Sequence, residues 1–140
     1  MATYTPKLNL KKPAGTEDIN VNDLNGNMDT IDAYCGRTDI SSSFAVNDTY
    51  CEGFKAYKMG RLVFVRMVVK AGTVDQTNIV TGIASEYRPI ETATLSTFWM
   101  NWTDAGKKTA AYVMTSAIQI RCEGQIEGSG GVLVSGCYMI

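Results

Sequence analysis

The chain has 140 residues, with 13 basic and 14 acidic side chains, no histidine and a net charge of −1. This length allows one globular domain with an appendage, and the balanced charge excludes the basic surface that attracts nucleic acid. No stretch approaches the roughly 18 consecutive apolar residues of a membrane span, and the N-terminus lacks the apolar stretch of a signal peptide. We therefore expect a protein made in a cytoplasm, without nucleic-acid binding or membrane insertion.

The residue inventory argues against catalysis. Without histidine the chain lacks the usual base of serine and cysteine nucleophiles and the commonest metal ligand. Its carboxylates show no spacing that singles out a glycosidase pair. The four cysteines form no CxxC motif and are interpreted as free, mostly buried thiols. We predict no catalytic residue, no metal site and no cofactor, and hence a protein that is not an enzyme.

Residues 1–18 are predicted to form an extended arm. Pro6 and Pro13 fix the backbone and remove hydrogen-bond donors, which favours extended or turn structure. Leu8 and Leu10 alternate with polar residues, as in a short extended segment with one apolar face. Two interpretations stay open: a disordered tail, or an anchor that becomes ordered against a larger structure.

Residues 19–36 are predicted to form an amphipathic helix. Its apolar positions alternate at spacings of three and four residues, which is the seam of a coiled coil. These seam residues are Val21, Leu24, Met28, Ile31 and Cys35. Asn20 is placed to cap the first turn, Asp23 adds favourable negative charge there, and Gly36 suits a C-terminus with positive φ. The pattern predicts self-association, with packing on the chain's own domain as the alternative.

The remainder is predicted to be a polar linker at residues 37–48 followed by a β domain at residues 49–140. Short apolar and β-branched runs alternate with turn signals, and the strongest strand, RLVFVRMVVK at residues 61–70, is apolar on much of both faces. Seven or eight such strands predict an antiparallel β-sandwich with Greek-key or jelly-roll-like topology. The order of elements predicts a helical stalk carrying a β head.

Two parts of the sequence resemble bacteriophage fibres. The segment YTPKLNLKKPAGTEDINVNDLNGNMDTID at residues 4–32 resembles the opening of tail-fibre and baseplate proteins, where an LNL-x-KP arm precedes a DLN-x-N-x-D-x-ID helix. The β domain is similar to the heads of short trimeric phage fibres in its GRLVFV strand, its YRP turn and its ending in V-x-V-x-G-x-Y.

This resemblance implies a parallel homotrimer located in the virion and assembled in the bacterial host cytoplasm. The helices would trimerise through Val21, Leu24, Met28 and Ile31. The arm would attach to other phage structural proteins, and Tyr4, Leu8 and Leu10 are the candidate contacts. The head would act in recognition of the host surface, and a bacterial surface glycan is the expected ligand.

The densest aromatic stretch, FWMNWTDAGKK at residues 98–108, is the predicted ligand-binding region. An exposed tryptophan offers a platform for the apolar face of a sugar, with polar side chains beside it for the hydroxyls. The candidate ligand-binding residues are Trp99, Trp102, Asp104, Lys107 and Tyr87. The alternative is that the tryptophans fill the core or a subunit interface and that Tyr87 is structural. A second functional hypothesis is a purely structural virion component, such as a head fibre, collar or decoration trimer.

Overall fold

The computed structural model describes residues 3–18, 20–99, 109–127 and 131–140. The chain divides into two compact units, Met1–Arg37 and Thr38–Ile140. In the first unit, an antiparallel hairpin of β1 (Thr3–Tyr4) and β2 (Lys11–Lys12) precedes the helix α1 (Val21–Cys35). The second unit is a nine-stranded sheet in which every described strand pairing is antiparallel. The prediction of a mainly β chain with antiparallel pairing is confirmed.

The sheet strands follow one another along the chain with two short 3₁₀ turns, Ser41–Ser43 and Ser85–Tyr87, between them. Their bounds are β3 Thr38–Asp39, β4 Phe44–Val46, β5 Cys51–Met59, β6 Leu62–Val69, β7 Asn78–Ile83, β8 Ala93–Trp99, β9 Thr109–Val113, β10 Ile118–Cys122 and β11 Val132–Met139. Across the sheet the order is β3-β5-β6-β11-β8-β9-β10-β7-β4.

The helix begins as predicted and ends differently. The side chain of Asn20 accepts a hydrogen bond from the backbone N–H of Asn22 at 2.9 Å, which confirms the predicted cap. Gly36 was expected to adopt positive φ, but its φ is −63°. Its N–H donates to the carbonyl of Asp32, and a Cβ built on Gly36 would lie 2.9 Å from that same oxygen. Glycine therefore relieves a close contact here rather than supplying a left-handed conformation.

The first and last strands of the sheet are neighbours in the sequence. Only residues 40–43 separate β3 from β4, so the sheet curls until its two edges approach each other. Ile40 and Phe44 are 4% and 6% exposed and anchor this link in the core. The structure thus differs from the predicted linker at residues 37–48, because two apolar side chains suffice to fasten a mostly polar segment to the sheet.

The core lies inside the curl. Alternate residues of β6 point into it and are at most 3% exposed, namely Val63, Val65, Met67 and Val69. The residues between them point outward, and of these Phe64 and Arg66 are exposed and Val68 is half-buried. The first half of β8 pairs with β9 and its second half with β11, so the sheet bends at this strand. Strand β6 is therefore apolar on both faces although only one face is buried within the chain.

Burial of Cys51 in this core makes stability depend on pH. Desolvation, with a smaller contribution from the charge of Asp48, raises the pKa of the Cys51 thiol to about 11 from an ordinary 9.0. Above the ordinary value the unfolded chain loses this proton while the folded chain keeps it, so stability falls as pH rises from 9.0 toward about 11. We expect a loss on the order of 2 kcal/mol in urea unfolding across that window.

The control for this prediction is Cys51→Ala. The variant is less stable than wild type near neutral pH because it leaves a small cavity, and its unfolding free energy falls less steeply between about pH 9 and about pH 11. The comparison of the two slopes isolates the contribution of the Cys51 thiol, because every other titratable group is the same in both proteins. Equal slopes of unfolding free energy against pH for wild type and variant would contradict the raised pKa of Cys51.

Candidate functional site

The seam of α1, defined by Val21, Leu24, Met28, Ile31 and Cys35, is exposed. Its first four members are 64%, 52%, 61% and 41% exposed, and α1 contains no buried residue. A soluble helix normally buries its apolar stripe. The predicted association residues therefore share one uncovered face, as a helix that packs against copies of itself requires.

The arm contacts α1 beside this seam. The backbone N–H of Lys11 donates to Asn27 Oδ1, and Asn27 Nδ2 donates back to the carbonyl of Lys11, both at 2.8 Å. The Lys11 ammonium pairs with Asp23, which raises the pKa of Lys11. At 100° per residue the seam spans about 80° of the helix, and Asp23 and Asn27 lie next to one edge of it. The intramolecular contact thus uses a polar face and leaves the apolar face open.

The predicted attachment residues lie on a hairpin rather than on an extended arm. Tyr4 is in β1 and 55% exposed. Leu8 and Leu10 are half-buried in the connection to β2, where the Thr5 and Leu10 backbones pair and Asn9 adopts a φ of 54°. The tight connection replaces the predicted alternation, so Leu8 and Leu10 do not form the apolar face of an extended strand.

Of the predicted ligand-binding residues, the structure describes Tyr87 and the backbone of Trp99. Trp102, Asp104 and Lys107 lie outside the described residues, and so does the side chain of Trp99. The backbone of Trp99 pairs with Val132 at the start of β11, whereas the carbonyl of Tyr87 accepts a hydrogen bond from Tyr138 near its end. Six residues of strand separate these two points, or about 20 Å.

Tyr87 has a structural environment. Its side chain packs against the core, and its carbonyl accepts the Tyr138 hydroxyl at 2.9 Å. Arg88 continues the turn by donating from Nε to the carbonyl of Ile83 at 3.1 Å. Burial raises the pKa of the Tyr138 hydroxyl, which keeps it protonated as a donor to this turn. These contacts favour the structural interpretation of the YRP turn.

An open cleft of about 630 Å³ lies on the outer face of the β9–β10 hairpin. We call it the β9–β10 cleft. Its described lining combines an aromatic ring, apolar groups and several polar side chains: Asp75, Thr92, Thr109, Ala110, Tyr112, Met114, Gln119, Arg121, Cys122 and Glu123. Thr109 directly follows the segment that contains Trp102, Asp104 and Lys107. The cleft therefore borders the predicted ligand-binding region in the sequence.

Hydrogen bonds hold the polar side chains of the cleft in place. Gln119 Nε2 donates to the carbonyl of Gln76 at 3.1 Å and to Asn78 Oδ1 at 3.2 Å. Asp75 Oδ1 accepts from the backbone N–H of Cys122 at 3.0 Å, which is the main cause of the lowered pKa of Asp75. Arg121 lies 4.0 Å from the other oxygen of Asp75. These groups are positioned before any ligand arrives.

Sequence reasoning missed this cleft. Tyr112 and Gln119 belong to different strands, and only the strand register makes them direct neighbours. The available signal was the alternation of β9 and β10, which places residues 110, 112 and 114 and residues 119, 121 and 123 on one face. That signal could have paired an outward aromatic residue with an outward amide once the hairpin was assumed.

No helix in the described ranges is long and apolar enough to cross a membrane. Within the same part of the chain, no three cysteine or acidic side chains converge as metal ligands would. A comparison with protein-family models, curated proteins and solved structures finds no match.

Proposed function

We propose that this chain is a fibre protein of a bacteriophage virion that assembles as a homotrimer through α1 and recognises a host-surface glycan with its β unit. The observation that carries the proposal is the exposed seam of α1, which stays open while the arm of the same unit binds the helix beside it. The helix would form a short parallel coiled coil. The β unit would serve as the sandwich-like head, and the two halves of its curled sheet would be the two layers.

Burial of the seam would favour association of the helices but is too weak to hold the chains together by itself. Burying a large apolar side chain stabilises by about 1.5–3 kcal/mol, and the seam has four of them besides Cys35. A 15-residue helix is nevertheless marginal in isolation. Association through α1 therefore requires further contacts from the β unit.

The outer face of the sheet supplies apolar surface for such contacts. Strand register aligns Tyr57, Phe64 and Cys137 in one row across β5, β6 and β11, and it aligns another row of three beside it. That second row is Met59, Leu62 and Met139. Phe64 and Met139 are 37% and 54% exposed. Apolar rows of this kind on an outer face are typical of protein interfaces.

The same rows favour the second candidate, a structural virion component that recognises no receptor. Apolar outer faces suit permanent packing against neighbouring virion proteins. The two candidates differ in one observable, since only the adhesion protein competes with whole phage for the host cell. Inhibition of adsorption by the purified protein supports recognition, and its absence favours the structural candidate.

The experiment that tests the assembly is the mass of the purified chain in solution, measured by light scattering during gel filtration. We expect the mass of three chains, independent of dilution over the micromolar range. A mass of one chain would contradict the proposal, because the seam would then be exposed in the functional protein.

A further inference from the structure

We propose that the β9–β10 cleft binds a neutral saccharide. The inference rests on the proposed function, and it assigns recognition to a different set of residues from those indicated by the aromatic stretch at residues 98–108. The cleft volume, about 630 Å³, falls within the roughly 300–1,000 Å³ of small-molecule sites.

The first argument is an aromatic platform with an amide beside it. Tyr112 is half-buried in β9 and lies directly opposite Gln119 of β10, where Cβ atoms stand about 5 Å apart. A phenol ring receives the apolar face of a sugar, and an adjacent amide reaches the hydroxyls at its edge. Ala110 is the neighbouring outward-facing residue of β9, and its small side chain leaves space beside the Tyr112 ring.

The second argument is that the polar groups are already ordered. Both hydrogens of the Gln119 amide are directed to Gln76 and Asn78, which fixes the orientation of its carbonyl oxygen as an acceptor. Asp75 is fixed by the Cys122 N–H and has Arg121 close to its second oxygen. Ordered groups lose little conformational entropy when a ligand binds, so a weakly apolar ligand such as a sugar can be held.

The third argument is charge. Asp75 and Glu123 contribute two carboxylates to the lining, and Arg121 contributes the one guanidinium among its described residues. A saccharide bearing sialic acid, uronic acid or phosphate would bring a further negative charge to a group of described lining residues that is already net negative. The hydroxyls of a neutral sugar are instead matched by carboxylate, amide and guanidinium groups together.

The experiment is a glycan array with the full-length protein, followed by titration of the best glycan by calorimetry. The probes are neutral gluco-, galacto-, manno- and N-acetylglucosamine oligosaccharides. Sialylated, uronic-acid and phosphorylated glycans form the anionic set. We expect a neutral oligosaccharide to bind best. Tyr112→Ala should weaken it at least about tenfold, whereas Tyr112→Phe, which keeps the ring, should weaken it far less.

A second variant tests the cleft without removing a polar group. Ala110→Leu fills the space beside Tyr112 and should also weaken binding at least about tenfold. The matched control is Tyr34→Ala, which removes the same side chain from an exposed position of α1 outside the seam and should leave affinity unchanged. Thermal unfolding of each variant verifies that it folds. If Tyr112→Ala does not fold, the affinity of Ala110→Leu shows whether the cleft is the binding site.

Three results would overturn the inference: no binding of any neutral oligosaccharide at millimolar concentration, a preference for the anionic glycans, or full affinity in Ala110→Leu. Full affinity in that variant would move the glycan site elsewhere and leave the proposed function intact. A protein of one-chain mass that binds through the cleft would instead refute the trimer and keep the site.

Discussion

Leu24→Asp is expected to convert the proposed homotrimer into single chains. Leu24 is the second of the five seam residues and 52% exposed in the isolated chain. In the proposed trimer this side chain would be buried, so the substitution would remove about 1.5–3 kcal/mol of apolar burial per chain and place three carboxylates together in a dry seam. We expect the association constant to fall by at least about a hundredfold per chain, measured as the loss of three-chain mass in light scattering.

The matched control is Asn22→Asp, which adds the same charge to the same helix away from the seam. Asn22 is exposed in the first turn of α1, where a carboxylate is favourable. It should keep the mass of the wild type. If Leu24→Asp were to retain three chains, α1 would not be the element that holds them together, and the assembly would have to depend on the β unit alone.

Gly131→Ala is expected to cost about 3 kcal/mol or more of folding stability. Gly131 precedes β11 and has a φ of +68°, and a Cβ built on it would lie 2.3 Å from the carbonyl oxygen of Val69. The left-handed conformation costs an alanine about 1 kcal/mol. The collision adds a larger cost, because the atom it meets is the backbone carbonyl oxygen of Val69, which β6 holds between the neighbouring strands β5 and β11. Urea unfolding measures the loss.

Gly53→Ala separates the two costs. Gly53 has a φ of +60°, and a Cβ there meets nothing within 4 Å. This variant should lose about 1 kcal/mol, which is the conformational term alone. Equal losses at the two positions would show that the carbonyl of Val69 yields to the added methyl group, contrary to the expected rigidity of the β6–β11 pair.

Local patterns in the sequence were enough for the elements themselves. The cap at Asn20, the seam of α1 and the main strands of the sheet each depend on residues within one turn or one strand, so short-range spacing reveals them. Gly36 shows the limit of such rules. A glycine after a helix often has positive φ, but the φ of Gly36 is negative. Glycine is suited to this position because a Cβ would lie too close to the Asp32 carbonyl oxygen.

The candidate site was less accessible to sequence reasoning. Clustering of tryptophan drew attention to residues 98–108, because aromatic density is visible along the chain. The described lining of the β9–β10 cleft has one aromatic ring, and its polar partners come from β10 and from the turn at Asp75. Their proximity depends on the pairing of Tyr112 with Gln119 and on the hydrogen bond from Cys122 to Asp75, and neither has a signature in spacing.

The sequence by itself determined an amphipathic helix with an apolar seam, followed by antiparallel strands, because periodicity and propensity act between near neighbours in the chain. Only the tertiary structure decided three further features: the curl of the sheet with Ile40 and Phe44 in its core, the docking of the arm beside the seam, and the cleft on β9 and β10. Each of these depends on contacts between residues far apart in sequence, and the free energy of such contacts is set by how the whole chain packs rather than by any local run of residues.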